Sequence, residues 1–380
     1  MIFTLEALEA QHGDALLLHY GDAGAPRVAM IDAGPRNTFT KRVKPRLDQL
    51  VATRADGGRL PIPLLMVSHI DDDHIQGVLD FLDLLDQDES APYSVDTLWH
   101  NAFDDIIGNA GTASLATLAQ VQGASVDTVL ANVQLGSRES QAVLANVGQG
   151  RRLAALARKL NLNRNTPFEG LVAGPPHEPV DLGGGLSLTV VGPSAARLDA
   201  LQEEWDKDLA KAKAKGAKPQ EMDALVAAYL DTSAANLSSI VVLARAGGKS
   251  MLLTGDARGD YVLEGLEAAG LMTDGHIHVN VLKMPHHGSF RDVAPDFFER
   301  ITADHYVISA NGKYDNPDLA TLRLLSQVRG GESITVHLTN RVAHAAAFLD
   351  SDAQKKGYGV VYRDDPALSV RVELGDPLPD

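Results

Sequence analysis

The stretch Ser68-His69-Ile70-Asp71-Asp72-Asp73-His74 follows directly on the apolar run Pro63-Leu64-Leu65-Met66-Val67. Two imidazoles and three carboxylates fall within six positions, where a buried strand stops. Donor groups packed this closely repel one another unless a cation sits among them. Capping of a following helix accounts for one Asp, not for three with two His. A strand end suits such a site, because neighbouring strands meet there and the next loop is held rigidly. The stretch therefore predicts a metal-ligand loop between a strand and a helix, the helix running from about Ile75 to Leu85.

Outward from this loop, strand and helix signals alternate. Ile2–Leu8, Ala15–Tyr20 and Val28–Ile31 read as strands separated by turn chemistry at Gly13-Asp14 and Asp32-Ala33-Gly34-Pro35. Arg42–Ala52 has a helical pattern, and Val95–Trp99 is a strand that ends at His100-Asn101. Strand signals return near Leu182–Val191, at Ile240–Ala244 and Ser250–Leu253 around a Gly247-Gly248-Lys249 hairpin turn, and at Val279–Met284. His305–Ser309, Ile334–Thr339 and Gly359–Tyr362 complete the predicted strands. Two strand-rich halves with helices after several strands predict two sheets packed face to face between helical layers. Two Ala-, Leu- and charge-rich stretches, about 103–170 and 195–232, read as helical insertions into one domain spanning 1–380. Within the first, Gly148-Gln149-Gly150-Arg151-Arg152 lacks the preceding strand and Lys of a phosphate loop and is expected to break two helices apart.

The bulk numbers narrow the chemistry. The chain has 380 residues and no Cys, so metal ligands must be His, Asp or Glu. With 34 basic and 50 acidic residues its formal charge is −16, which disfavours charge-driven binding of extended nucleic acid. A small phosphodiester or nucleotide that contacts mainly a metal centre remains compatible. No run reaches the roughly 18 apolar residues of a membrane span, and the first residues lack a signal-peptide pattern, so a cytoplasmic protein is expected.

Across His69–His74 the spacing is H-x-D-x-D-H, which resembles the H-x-H-x-D-H signature of the metallo-β-lactamase-fold hydrolases. Asp71 in place of the second His resembles the branch that contains the hydrolase domain of the competence protein ComEC. Gly13-Asp14-Ala15, Ile31-Asp32-Ala33-Gly34, Asn236–Leu243, Leu252-Leu253-Thr254-Gly255-Asp256 and Val281–Ser289, ending in Pro285-His286-His287-Gly288-Ser289, extend the likeness through most of the chain outside the insertions. The resemblance implies an αββα sandwich and one or two divalent ions, Zn²⁺ or Mn²⁺. His69 and Asp71 would serve the first ion, Asp73 and His74 the second, and Asp256 would bridge them. His287, followed by Gly288, is favoured to complete the second site, with His286 polarising substrate or protonating a leaving group, although either His of the pair can be the ligand. Two ions sharing a carboxylate would activate a bridging water for attack, with Asp73 at the reacting centre.

One departure concerns the first ion. The family's Gly-His motif before the late hairpin is replaced by Gly192-Pro193-Ser194, and His100 and His177 are the only histidines between His74 and Asp256. Fewer protein ligands and Asp71 for His would shift preference from Zn²⁺ towards Mn²⁺ or Mg²⁺. His100 and Asn101, at a strand end, are candidate site-lining residues. Ser309–Pro317 resembles a ComEC-type substrate loop, so that Asn311, Lys313, Tyr314 and Asn316 are candidate substrate contacts, with Asn316 standing where the branch commonly has His. The expected activity is metal-dependent phosphodiester hydrolysis of nuclease type. Lactone or amide hydrolysis is the enzymatic alternative. A metal-binding regulatory protein, with partners on the helical insertions, is the non-catalytic one.

Overall fold

In chain order the elements of the computed structural model are β1 (Ile2–Leu8), β2 (Leu16–Asp22), β3 (Ala25–Ile31), α1 (Lys44–Ala52), β4 (Leu60–Met66), α2 (Asp72–Gln87) and β5 (Tyr93–Trp99). Next come α3 (Arg138–Lys159), β6 (Asn163–Arg164), β7 (Val180–Asp181), β8 (Ser187–Gly192), α4 (Ala195–Ala214), β9 (Val241–Ala246) and β10 (Lys249–Leu253). The rest is α5 (Gly259–Ala268), β11 (Ile277–Lys283), β12 (Ile301–Ile308), α6 (Leu319–Arg329), β13 (Thr335–Leu338), α7 (Ala343–Lys356), β14 (Gly359–Tyr362) and β15 (Ser369–Glu373). The structure describes residues 1–54, 57–102, 105–106, 138–175, 177–214, 239–293 and 296–378.

The strands form two mixed sheets, ordered β15-β1-β2-β3-β4-β5-β6 and β14-β13-β12-β11-β10-β9-β8-β7. In the first, β1, β2, β3 and β15 pair antiparallel, while β3 to β6 run parallel. In the second, β10 to β14 are parallel, and β7 to β10 antiparallel. Period-two alternation explains how both faces of each sheet are buried. Leu64 and Met66 of β4 point into an inter-sheet core with Met251, Leu253 and Val281 from the other sheet. Leu65 and Val67 point outward instead, under α1, α2 and α3 with Leu47, Phe81 and Leu153. Leu252 and Leu282 likewise meet Leu263, Leu322 and Leu349 of α5, α6 and α7. Helices, sheet, sheet, helices: this is the αββα sandwich expected.

Some details differ from expectation, among them β6 (Asn163–Arg164), an edge strand of the first sheet inside the stretch 103–170 read as helical. β15 was not foreseen, although Val370 and Val372 alternate with polar residues and enter the inter-sheet core; its partner β1 lies at the far end of the chain. The helix break at Gly148–Gly150 is also absent, because α3 runs through it unbroken. Gly150 lies against the metal-ligand loop, where a Cβ would come 3.3 Å from Ile70, and Gln149 donates to Asp72 Oδ1 at 2.7 Å and Gln76 Oε1 at 2.9 Å of α2. Of the two expected insertions, Arg138–Lys159 and Ala195–Ala214 are helical; 107–137, 215–232 and Asn236–Ser238 of the β9 motif lie outside the described residues. No described helix is long and apolar enough to cross a membrane.

Under β1 lies a buried charge. Glu6 accepts from Arg46 Nε at 2.9 Å and from His19 Nε2 at 2.8 Å, with Arg371 Nε at 3.3 Å. Burial alone would raise its carboxyl, but the His19 hydrogen bond and the Arg46 and Arg371 charges hold it far below its ordinary 4.5. A depressed folded value stabilises above the unfolded one, so this contribution is present above pH 4.5 and fades as pH falls through and below it. Glu6→Gln leaves Arg46 buried without its counter-charge. A loss of about 3–5 kcal/mol in urea unfolding at pH 7, and a smaller difference from wild type as the pH falls below that of an ordinary carboxyl, are expected.

Candidate metal centre

The site forms where β4, β10, β11 and β12 end at one edge of the sandwich. Behind β4, Ser68 N–H and Oγ–H donate to the two oxygens of Asp32 at 2.7 and 2.6 Å, anchoring the ligand loop to the end of β3. Ser68 O accepts from Ile240 N–H at 2.8 Å, tying the loop to the other sheet. The β10 end must pass close by, and Gly255 permits it. Its φ is +51°, and a Cβ there would stand 2.4 Å from Ser239 Oγ and 2.9 Å from Ser68 Cβ. Gly13 plays the same part on the other side, since a Cβ would sit 1.8 Å from Asp73 O, and Asp14 N–H donates to that same carbonyl at 3.3 Å.

These constraints gather donors into four overlapping groups among the described residues, each close enough to hold one ion: His69, His74 and Asp256; Asp73, His74 and His287; Asp14, Asp256 and His287; and Asp14, Asp32 and His74. Asp256 Oδ1 lies 3.4 Å from His74 Nε2, and its Oδ2 lies 3.4 Å from His287 Nε2; His287 Nε2 is also 3.6 Å from Asp73 Oδ2. Ligands roughly 2.1 Å from one tetrahedral cation stand roughly 3.4 Å from each other, so the spacing fits an ion. His69, His74 and His287 are buried, and their Nε2 atoms, with Asp256 Oδ1, have no hydrogen-bond partner. Buried polar atoms without partners are costly, and a cation is what this set would satisfy. The opposite ring nitrogens are held from behind: His74 Nδ1 by Asp32 at 2.8 Å, His287 Nδ1 by Ser309 O at 3.0 Å, His69 Nδ1 by Ser68 Oγ at 3.1 Å. Such bonds set the tautomer that leaves Nε2 as a lone-pair donor.

At the first position the expected partners separate: His69 groups with His74 and Asp256, and Asp71 joins none of the four groups. His69 Nε2 lies 3.4 Å from Asp71 Oδ2 and 3.8 Å from Asp256 Oδ2. Gly192-Pro193-Ser194 brings no ligand; Ser194 Oγ instead accepts from Arg197 N–H at the start of α4. His177 packs edge-on against Phe168, at 5.2 Å between rings. His100 is buried with neither ring nitrogen bonded, burial and Arg164 push its imidazole down to about 3, and it joins none of the four ligand groups found among the described residues. Asn101 is engaged elsewhere, holding both the N–H and C=O of Val172 at 2.8 Å.

His286 differs from its neighbour. It is 30% exposed, its Nδ1 pairs with Asp292 at 2.6 Å, and its Nε2 faces Asp256 Oδ2 at 3.5 Å. Both His286 and His287 have positive φ, 44° and 54°, a strained backbone that brings both Nε2 atoms to Asp256 Oδ2, at 3.5 and 3.4 Å. Ser68, Ser309, Lys283 and Asp292 are supporting residues that motif reasoning missed. Lys283 was detectable as a lone charge in an apolar strand; it is fully buried, 2.7 Å from Asp14 Oδ2, and Asp14 Oδ1 lies 3.5 Å from His287 Nδ1.

The field of the site favours positive charge. Burial disfavours protonated His74 and His287, yet Asp256 with Asp32 and Asp73 raises His74 well above 6.5, and Asp256 with Asp14 raises His287 likewise. Burial would raise the Asp256 carboxyl, but His287, His74 and His286 hold it well below its ordinary value.

No family model matches the chain, and no curated protein does. Among solved structures, Zn²⁺-bound PqqB from Methylobacterium extorquens is similar at 12% identity and a TM-score of 0.42, over 96% of this chain and 88% of that one. So distant a likeness lends nothing to the chemistry, which stands on the side chains.

Because a cation must displace protons from raised imidazoles, affinity for Zn²⁺ or Mn²⁺ should keep rising with pH past 6.5 rather than level off there. Calorimetry in buffers of different ionisation enthalpy should detect the released protons. Asp32→Ala, which frees His74 Nδ1, should weaken metal binding by about 10–100-fold.

Proposed function

We propose that the chain is a metal-dependent hydrolase acting on phosphodiester bonds of a nucleotide or short oligonucleotide. The observation that carries the reading is the convergence of three buried, unpartnered imidazole Nε2 atoms on Asp256, each ring fixed from behind. Asp73, His74, Asp256 and His287 would hold one divalent ion, and His69, Asp71 and Asp256 a second. Bound there, such ions supply a water acidic enough to react near neutral pH and positive charge opposite the oxygen that develops charge.

The chain's own groups supply the rest. Asp73 and Asp256 fix the charge balance of the pocket, and α2 and the Gly13 turn hold Asp73 in place. His286 can carry a proton at Nε2 beside the reacting centre: burial would lower it, but Asp256 and Asp292 raise it above 6.5. A protonated imidazole near neutrality suits a general acid for a departing alkoxide. The Asp71 variant and the Pro285-His286-His287-Gly288-Ser289 run support the ComEC-like branch, and with it the phosphodiester reading over carbonyl chemistry.

Purified protein assayed with Zn²⁺ and with Mn²⁺ on bis-aryl phosphate, short DNA and lactones should turn over the phosphodiesters. Turnover confined to lactones would sink that substrate class. Bound metal without any turnover would favour the regulatory alternative. His286→Ala should lower kcat by about 10²–10⁴-fold with metal content unchanged, whereas His287→Ala should lose metal.

A further inference from the structure

Two segments outside the ligand set proposed above meet at the mouth of the site. One is the β1–β2 turn, whose Gly13 and Asp14 sit on the Asp73 carbonyl. The other is the loop after β12, where Ser309 O accepts from His287 Nδ1 while Ser309 Oγ–H donates to Gly13 O at 2.7 Å. Both are thus fixed to ligand-bearing chain rather than free to drift. Across the gap, Lys313 Nζ lies 2.9 Å from His12 Nε2. An ammonium has only donors, so the imidazole accepts, and His12 holds Lys313 without neutralising it. Among the described residues Lys313 pairs with no carboxylate, in a chain whose formal charge is −16. An ammonium that avoids the many available acids is positioned for an anion from outside.

Beside it stands Tyr314, 75% exposed, its ring centroid 4.7 Å from Lys313 Nζ and 6.1 Å from the His12 ring. Tyr314 and Asp315 hold φ of 58° and 64°, a left-handed backbone rarely adopted by residues with side chains. The loop is turned so that an aromatic face and an ammonium are presented together. Asn311 Oδ1 accepts from Lys313 N–H at 3.0 Å, and Gly312 N–H bonds Asn316 O at 3.1 Å, so both Asn residues shape the loop.

We propose that His12, Lys313 and Tyr314 form an anion subsite at the mouth of the metal centre, taking a phosphate or carboxylate attached beside a planar ring. Lys313 contacts the anion, Tyr314 stacks on the ring, and His12 is a positioning residue for Lys313. The inference rests on the hydrolase reading only for the reacting bond, which would lie at the metal centre while this second group is held at the rim.

The test is calorimetric titration of metal-loaded protein with deoxyadenosine monophosphate and with deoxyadenosine, each variant first checked for equal metal content and an unchanged thermal midpoint. Lys313→Met should weaken the monophosphate about tenfold or more and leave deoxyadenosine unchanged. Tyr314→Ala should weaken both probes, by roughly fivefold or more. His12→Ala should weaken the monophosphate about two- to tenfold, and His12→Gln, which keeps an acceptor, should recover most of it. Monophosphate affinity equal to wild type in both Lys313→Met and His12→Ala overturns the subsite. Failure of the hydrolase reading looks different, as a wild-type protein without bound metal or turnover.

Discussion

One buried carboxylate organises this molecule. Asp256 is 2% exposed and has imidazole Nε2 atoms of His69, His74, His286 and His287 within 3.8 Å. Positive charge must compensate such a group in a poorly solvated pocket, whether protons or metal supply it. The surrounding backbone meets that demand at three strand ends. β4 delivers His69 and His74, β10 delivers Asp256 through Gly255, and β11 delivers the His pair through two residues of positive φ.

Around this centre, the supporting contacts link the two sheets. Ser68 reaches Asp32 in one sheet and Ile240 beside the other, and Ser309 connects His287 to the Gly13 turn. The inter-sheet core therefore does more than stabilise, because it sets the relative height of strand ends whose side chains must meet within a few ångströms. α3 adds a brace on the outer side, with Gln149 on Asp72 and Gln76, and with Arg152 and Lys159 paired to Asp83 and Asp86. A segment that reads as an insertion is thus attached to the helix that begins at the metal-ligand loop.

Much of this was legible in sequence because local signals agreed with each other. The apolar run before Ser68 marked β4, the His and Asp spacing marked its end, and Thr-Gly-Asp and His-His-Gly-Ser marked two further strand ends in the right order. Contacts between distant segments left weaker traces. Nothing near His12 points to Lys313, 301 residues away, and nothing in Ser369–Glu373 names β1 as its partner. Asn101 shows the opposite error: a polar residue at a strand end resembled a site residue, yet its amide closes a loop at Val172. Gly148–Gly150 misled because two glycines suggest a break, whereas the helix runs through both and Gly150 lies against Ile70 of the metal-ligand loop. The absence of a middle His was visible at once.

The central claim is that the unpartnered donors around Asp256 are metal ligands. Crystals of the protein loaded with Zn²⁺ or Mn²⁺, measured at the absorption edge of that metal, test it most directly. The account predicts an anomalous peak at bonding distance from His74 Nε2, His287 Nε2, Asp73 and Asp256, with a weaker or second peak beside His69 and Asp71. A map without a peak among these side chains, in crystals grown with the metal present, would contradict it.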